Sequence, residues 1–228
     1  MIVAAAVCPS PPLLARELTG RALVLPELRQ ACATAVARLL EPAPDVVVVV
    51  GGAVATASWD PGERLDLSRW APALGKRGTP GLPLSLGLGA MLLDEAGYAG
   101  PRILRAVGET EPRAACVRLG ASLPGLARRP ALLVMGDGTA RRSPAAPGHF
   151  DERAKPFDLA VERALGDGDM AALAGLDAAL ARDLMATGRA AWQVLAGALG
   201  DGPAPAGEVL YADAPFGVGY FVAVLDHR

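Results

Sequence analysis

A chain of 228 residues, 52% hydrophobic and 20% charged, has the material for a sizeable core and excludes wholesale disorder. Its formal net charge of -2 gives no electrostatic case for nucleic acid or for an anionic membrane surface. The cysteines Cys8, Cys32 and Cys116 are odd in number and far apart, without C-x-x-C spacing, which argues against a disulfide framework and against a zinc site.

The opening "MIVAAAVC" superficially resembles a lipoprotein signal but lacks a basic start, and its apolar run is too short. Ile2 to Val7 therefore reads as a buried strand, stopped by the rigid "CPSPP". Between Glu27 and Leu40, Leu28, Ala31, Cys32, Ala35, Val36 and Leu39 recur at helical spacing, with Pro26 near the first turn. "DVVVVV", ending at Val50, is an unalternating β-branched run, expected of a strand covered on two faces. Trp59 to Gly81 is Gly/Pro-rich and aperiodic, an excursion over the surface. A helix from Gly87 to Ala96, a strand from Ile103 to Val107, a helix from Glu111 to Leu123 and a strand from Ala131 to Met135 follow. Three helical segments are expected between Ala154 and Leu199, with breaks near Gly166, Gly175 and Gly188. Strands Glu208 to Tyr211 and Gly219 to Leu225, joined by "ADAPFGV", close the chain.

Strands alternating with helices predict one α/β domain over residues 1–228. Its central sheet should be mostly parallel or mixed, with helices on both faces. No run approaches the ~18 apolar residues of a membrane span, and a cytoplasmic location is expected.

In such a fold chemistry sits in the loops after the strands, here 8–12, 51–59, 136–142 and 213–220. A Ser-His-Asp triad has little to draw on. No G-x-S-x-G elbow exists, and the histidines are His149, in a Pro/Gly-rich loop where solvation is the default reading, and His227, the penultimate residue. "SLGLGA" at 85–90 lacks the third glycine of a dinucleotide fingerprint and reads as a glycine-rich helix start. Asp137, between two glycines, is a metal ligand, a helix cap or, by base rate, a turn former. Arg141 and Arg142 could grip an anion, although paired surface arginines are common in a chain whose only lysines are Lys76 and Lys155.

Taken in order, "CPSPPLL", "DVVVVVGGA", "GDGTARRSPAAPGHFDERAKPFD" and "YADAPFGVGYFVA" resemble the class III extradiol ring-cleavage dioxygenase superfamily. This is the group of the protocatechuate 4,5-dioxygenase β-subunit and its Memo-like relatives. The resemblance implies the class III extradiol dioxygenase (LigB-like) fold over the whole chain. It also implies a non-haem Fe(II) held by two histidines and a carboxylate, with a third histidine as acid/base. At the corresponding positions this chain has Ser10 and Ala53 for the two ligand histidines, Ala140 for the acid/base and Asp213 for the carboxylate. Alanine has no lone pair, and a serine hydroxyl is a poor ligand for Fe(II).

The expectation is therefore a dioxygenase-like protein without its iron centre, a binding or partner protein with no cofactor. Its pocket would draw on Ser10, Ala53, Asp137, Arg141, Arg142, His149 and Asp213. The partner would be a small aromatic or anionic ligand, a second copy of the chain or another subunit. Two alternatives stand beside it. One is an active Fe(II) dioxygenase on catechol-type aromatics completed by another subunit; the other is a different enzyme in the same cleft using Ser10, Asp137, Asp213 or His149.

Overall fold

The computed structural model describes residues 1–226 apart from 21, 23, 73–80, 201 and 203, so that Lys76 and His227 lie outside the described residues. Its centre is a seven-stranded mixed sheet in the order β3-β4-β2-β5-β1-β7-β6. The strands are β1 (Ala4–Cys8), β2 (Val46–Ala53), β3 (Ala57–Trp59), β4 (Arg102–Gly108), β5 (Pro130–Met135), β6 (Ala206–Asp213) and β7 (Tyr220–Asp226). β4, β2, β5 and β1 are parallel to their neighbours in that block. β3 pairs antiparallel at one edge, and the β7–β6 hairpin antiparallel at the other.

The valine run explains why β2 is central. Val46, Val48 and Val50 point into one core layer, Val47 and Val49 into the other, and none is more than 6% exposed. Each such side chain contributes about 1.5–3 kcal/mol relative to exposure. The first layer is covered by α4 (Arg113–Ser122), α5 (Ala154–Gly166), α6 (Met170–Ala174), α7 (Ala178–Asp183) and α8 (Arg189–Leu199). The second is covered by α2 (Pro26–Leu40) and α3 (Leu84–Glu95), with the short α1 (Arg16–Thr19) nearby. The α/β architecture with helices on both faces is thus present.

Three glycines set how closely these layers pack. A Cβ on Gly89 of α3 would lie 2.5 Å from Val49 Cγ1, so the second glycine of "SLGLGA" lets the helix lie down on β2. On the other face, a Cβ on Gly120 of α4 would overlap the Val194 carbonyl oxygen. One on Gly197 of α8 would overlap that of Val117, so α4 and α8 meet main chain to main chain.

Several elements differ from the sequence reading. The short strand β3 is not among the expected elements; it ends at Trp59, where the stretch read as a surface excursion begins, and Leu65 within that stretch forms an isolated bridge with Leu82 just after it. Four helices, not three, fill residues 154–199, separated near Gly166, Gly175 and Gly188 where breaks are expected, and Met185, with φ of 56°, lies in the last of these turns. Pro26 sits at the first helical turn, as its fixed φ favours. Cys8, Cys32 and Cys116 are buried free thiols. Among the described residues no helix is long and apolar enough to cross a membrane.

The path of the chain opens a crevice. β2 leads on to α3 on one face of the sheet, whereas its neighbour β5 leads on to α5 on the other. Adjacent parallel strands whose connections diverge leave a gap at their carboxyl ends, where α/β proteins bind ligands.

Candidate functional site

A cavity of about 650 Å³ lies at that crevice. Ser10 comes to it from beyond β1, Gly52 and Ala53 from β2, Glu109 from beyond β4, and Gly136 and Asp137 from beyond β5. Trp59, Arg69 and Trp70 also line it, as does Ser85, whose hydroxyl donates to the Gly52 carbonyl at 2.7 Å. Its size is that of small-molecule sites, which run at about 300–1,000 Å³.

Asp137 is fixed from two directions. Its Oδ1 accepts the main-chain N–H of Ser10 at 2.6 Å, and its own carbonyl accepts the N–H of Gly188 at 2.8 Å. It is therefore neither a local turn former nor a helix cap. Burial pushes its carboxyl up to about 6; the Ser10 N–H and hydroxyl oppose this, and the negative charge of Glu109 adds to it. Burial also raises Glu109. Glu109 is held at its main chain by Arg189, 2% exposed in the first turn of α8. The Arg189 guanidinium donates to the carbonyls of Glu109 and Glu111 and, at 2.9 Å, to Gln193 Oε1. Across the cavity the Arg69 guanidinium lies over the Trp70 ring at 5.8 Å from its centroid. The Nε1 of Trp59 is buried and finds no acceptor among the described residues.

Of the candidate residues read from the sequence, Ser10, Ala53 and Asp137 line this one cavity. The others lie elsewhere. Ala140 is buried, its N–H on the Leu184 carbonyl and its own carbonyl taken by Gly148. Asp213 ends the edge strand β6, exposed, with its carboxylate accepting the Ala214 N–H at 2.7 Å. His149 is exposed on a loop with φ of 57°. Arg141 is half-buried, and its Nε has no acceptor among the described residues. Arg142 does not wait for an anion: it already pairs with Asp158 at 2.8 Å.

That pair explains the 136–158 motif. Asp158, 1% exposed, accepts the Thr139 N–H at 2.9 Å and the Thr139 hydroxyl at 3.0 Å as well as the Arg142 guanidinium. Burial raises the Asp158 carboxyl, while Thr139 and Arg142 act against this. The Gly138 N–H donates to the Gly219 carbonyl at 2.7 Å and the Gly219 N–H to the Thr139 carbonyl at 2.8 Å, and a Cβ on either glycine would press against the Asp158 carboxylate. Here the G-D-G-T and G-V-G-Y segments close around an internal anion, so the motif residues knit two loops together.

Glu109 escaped the sequence reading. The only signal for it is positional: it is the first residue after β4, at the same carboxyl edge as the other strand-end loops.

The resemblance implies ferrous ion, and the residues present do not fit it. Ser10 and Ala53 offer a hydroxyl and a methyl, and neither Ala140 nor Asp213 lines the cavity. Among the described residues no three of His, Cys, Asp and Glu are grouped to hold a metal ion. Two carboxyls and no imidazole make a poor Fe(II) donor set.

No family model and no curated protein matches the chain. It is similar to the crystal structure of uncharacterized protein JW3007 from Escherichia coli K12. The TM-score is 0.52 at 13% identity, and the match covers 99% of this chain and 100% of that one. The likeness is one of fold.

Proposed function

We propose that this chain is a class III extradiol dioxygenase-like protein that binds a small molecule in the strand-end cavity and has no iron centre. One observation supports the reading above the rest. The cavity is lined by Ser10 and Ala53, the two ligand-histidine positions of the resemblance, and neither brings a nitrogen donor. Trp59 and Trp70 supply the apolar wall that an aromatic ligand needs. On this reading Asp137 and Glu109 orient the ligand, and the loop closed around Asp158 keeps the cavity in shape.

The test is anaerobic loading with Fe(II), desalting, and measurement of retained iron and of oxygen uptake with catechol and protocatechuate. The expected result is no retained iron and no uptake. Stoichiometric iron together with a yellow ring-cleavage product overturns the reading.

A second reading is favoured by Asp137 alone. A carboxyl near 6 beside the Ser10 hydroxyl suits general acid–base work at neutral pH. It predicts turnover of some substrate that disappears in Asp137→Asn.

A further inference from the structure

The reading of the cavity as a small-molecule site leaves open what it selects, and its charges bear on that. Asp137 and Glu109 face one space, close enough for the charge of one to act on the other. Among the described residues neither forms an ion pair with Lys, Arg or His. Among the described residues the cation that lines the cavity is Arg69, and it lies over the Trp70 ring instead. Asp137 is half-buried and Glu109 exposed, so the cost of leaving water lies chiefly at Asp137, where a second negative charge stands nearby without a counter-charge; a cation supplied from outside relieves it. A divalent metal ion is the poorer candidate, because among the described residues no three of His, Cys, Asp and Glu are grouped to hold one and the indole walls of the cavity give a metal ion no ligand. An organic ammonium needs fewer ligands and is attracted to the faces of aromatic rings.

We infer that the cavity takes an aromatic molecule carrying a positively charged amine, with the ammonium between Asp137 and Glu109 and the ring against Trp59 and Trp70. This inference rests on the binding reading proposed above and deepens it. Among the described residues the groups facing Asp137 are Ser10 from the loop after β1, Glu109 from the loop after β4 and Tyr220 from β7, and none of these is a cation. Uptake of a proton by Asp137 therefore removes the ammonium's partner, and acid weakens binding.

The probes are phenethylamine, 3-phenylpropanol and 3-phenylpropionate, equal in ring and similar in length but cationic, neutral and anionic. Titration calorimetry and tryptophan fluorescence at pH 7.5 are expected to show saturable binding of phenethylamine about tenfold or more tighter than either analogue. Asp137→Asn and Glu109→Gln each reduce it about tenfold, with circular dichroism and Tm confirming the fold, and lowering the pH to 5 weakens binding in the wild type. Equal affinity for the three probes, preference for the anion, no saturable binding of the amine at millimolar concentration, or an unaffected Asp137→Asn variant overturns the inference. So does magnesium chloride displacing the amine while itself binding in an Asp137-dependent way, which marks a metal site. The two levels fail separately: iron-dependent ring cleavage sinks the binding reading, whereas a bound neutral probe with no preference for the amine sinks the cation alone.

Discussion

The main-chain N–H of Ser10 donates to Asp137 Oδ1 at 2.6 Å, joining residues 127 positions apart across one side of the cavity. The bond needs an acceptor, not a charge. Asp137→Asn keeps the acceptor and sheds a poorly solvated carboxylate, so its stability at pH 7 should equal or exceed that of the wild type. Asp137→Ala leaves the Ser10 N–H without its partner and should cost about 1–3 kcal/mol. Urea denaturation of the two variants checks the contrast.

The same carboxyl sets a pH dependence. Its folded value of about 6 lies above the ordinary value of 3.8, so the folded state holds the proton more tightly. The resulting stabilisation is complete below about 4 and is lost as the pH rises through about 6. Between pH 5 and 7 the wild type should lose roughly 1–3 kcal/mol relative to Asp137→Asn, whose curve lacks this component. Paired denaturation curves across that range read the difference, and parallel curves would refute the assignment.

Asp158→Ala should be among the most damaging single changes. It strands the Thr139 N–H and hydroxyl in the interior and removes the Arg142 partner, a loss of about 3–5 kcal/mol. Chemical denaturation measures it, and a loss below about 1 kcal/mol would contradict the knot described for the two loops.

Two glycine substitutions make an internal comparison. Gly197→Ala drives a methyl into the Val117 carbonyl and should cost more than about 3 kcal/mol or prevent folding. Gly125→Ala meets nothing within 4 Å and should fall within about 0.5 kcal/mol of the wild type. Thermal melts of the pair suffice.

Ser10→His with Ala53→His places two imidazoles on the cavity that already holds the Asp137 carboxyl. The double variant should retain Fe(II) or Zn(II) through gel filtration where the wild type does not, as read by elemental analysis. Adding Ala140→His should give no further gain, because Ala140 is buried with its main chain bonded to Leu184 and Gly148.

The parts legible in the sequence were those with a local cause. Five consecutive valines cannot put one face in water, so Val46–Val50 announced a strand covered on two sides. Strand β3 has no such mark: it is three residues long, and Ala57 and Ser58 are exposed. Asp137 read as a turn former because flanking glycines are visible in the sequence while its partner, Ser10, stands 127 residues away. Glu109 sits in "GETEP", which looks like any solvated turn until β4 is placed beside β2. Asp213 and Ala140 belong to segments that resemble a catalytic pattern, but neither lines the cavity with Ser10 and Ala53.

The close seat of α8 on α4 reaches further than packing. Gly120 and Gly197 let the two helices touch with no side chain between them, and Arg189 at the head of α8 grips the carbonyls of Glu109 and Glu111 ahead of α4. The fit of one helix against another thus also decides where the backbone of Glu109 stands at the mouth of the cavity.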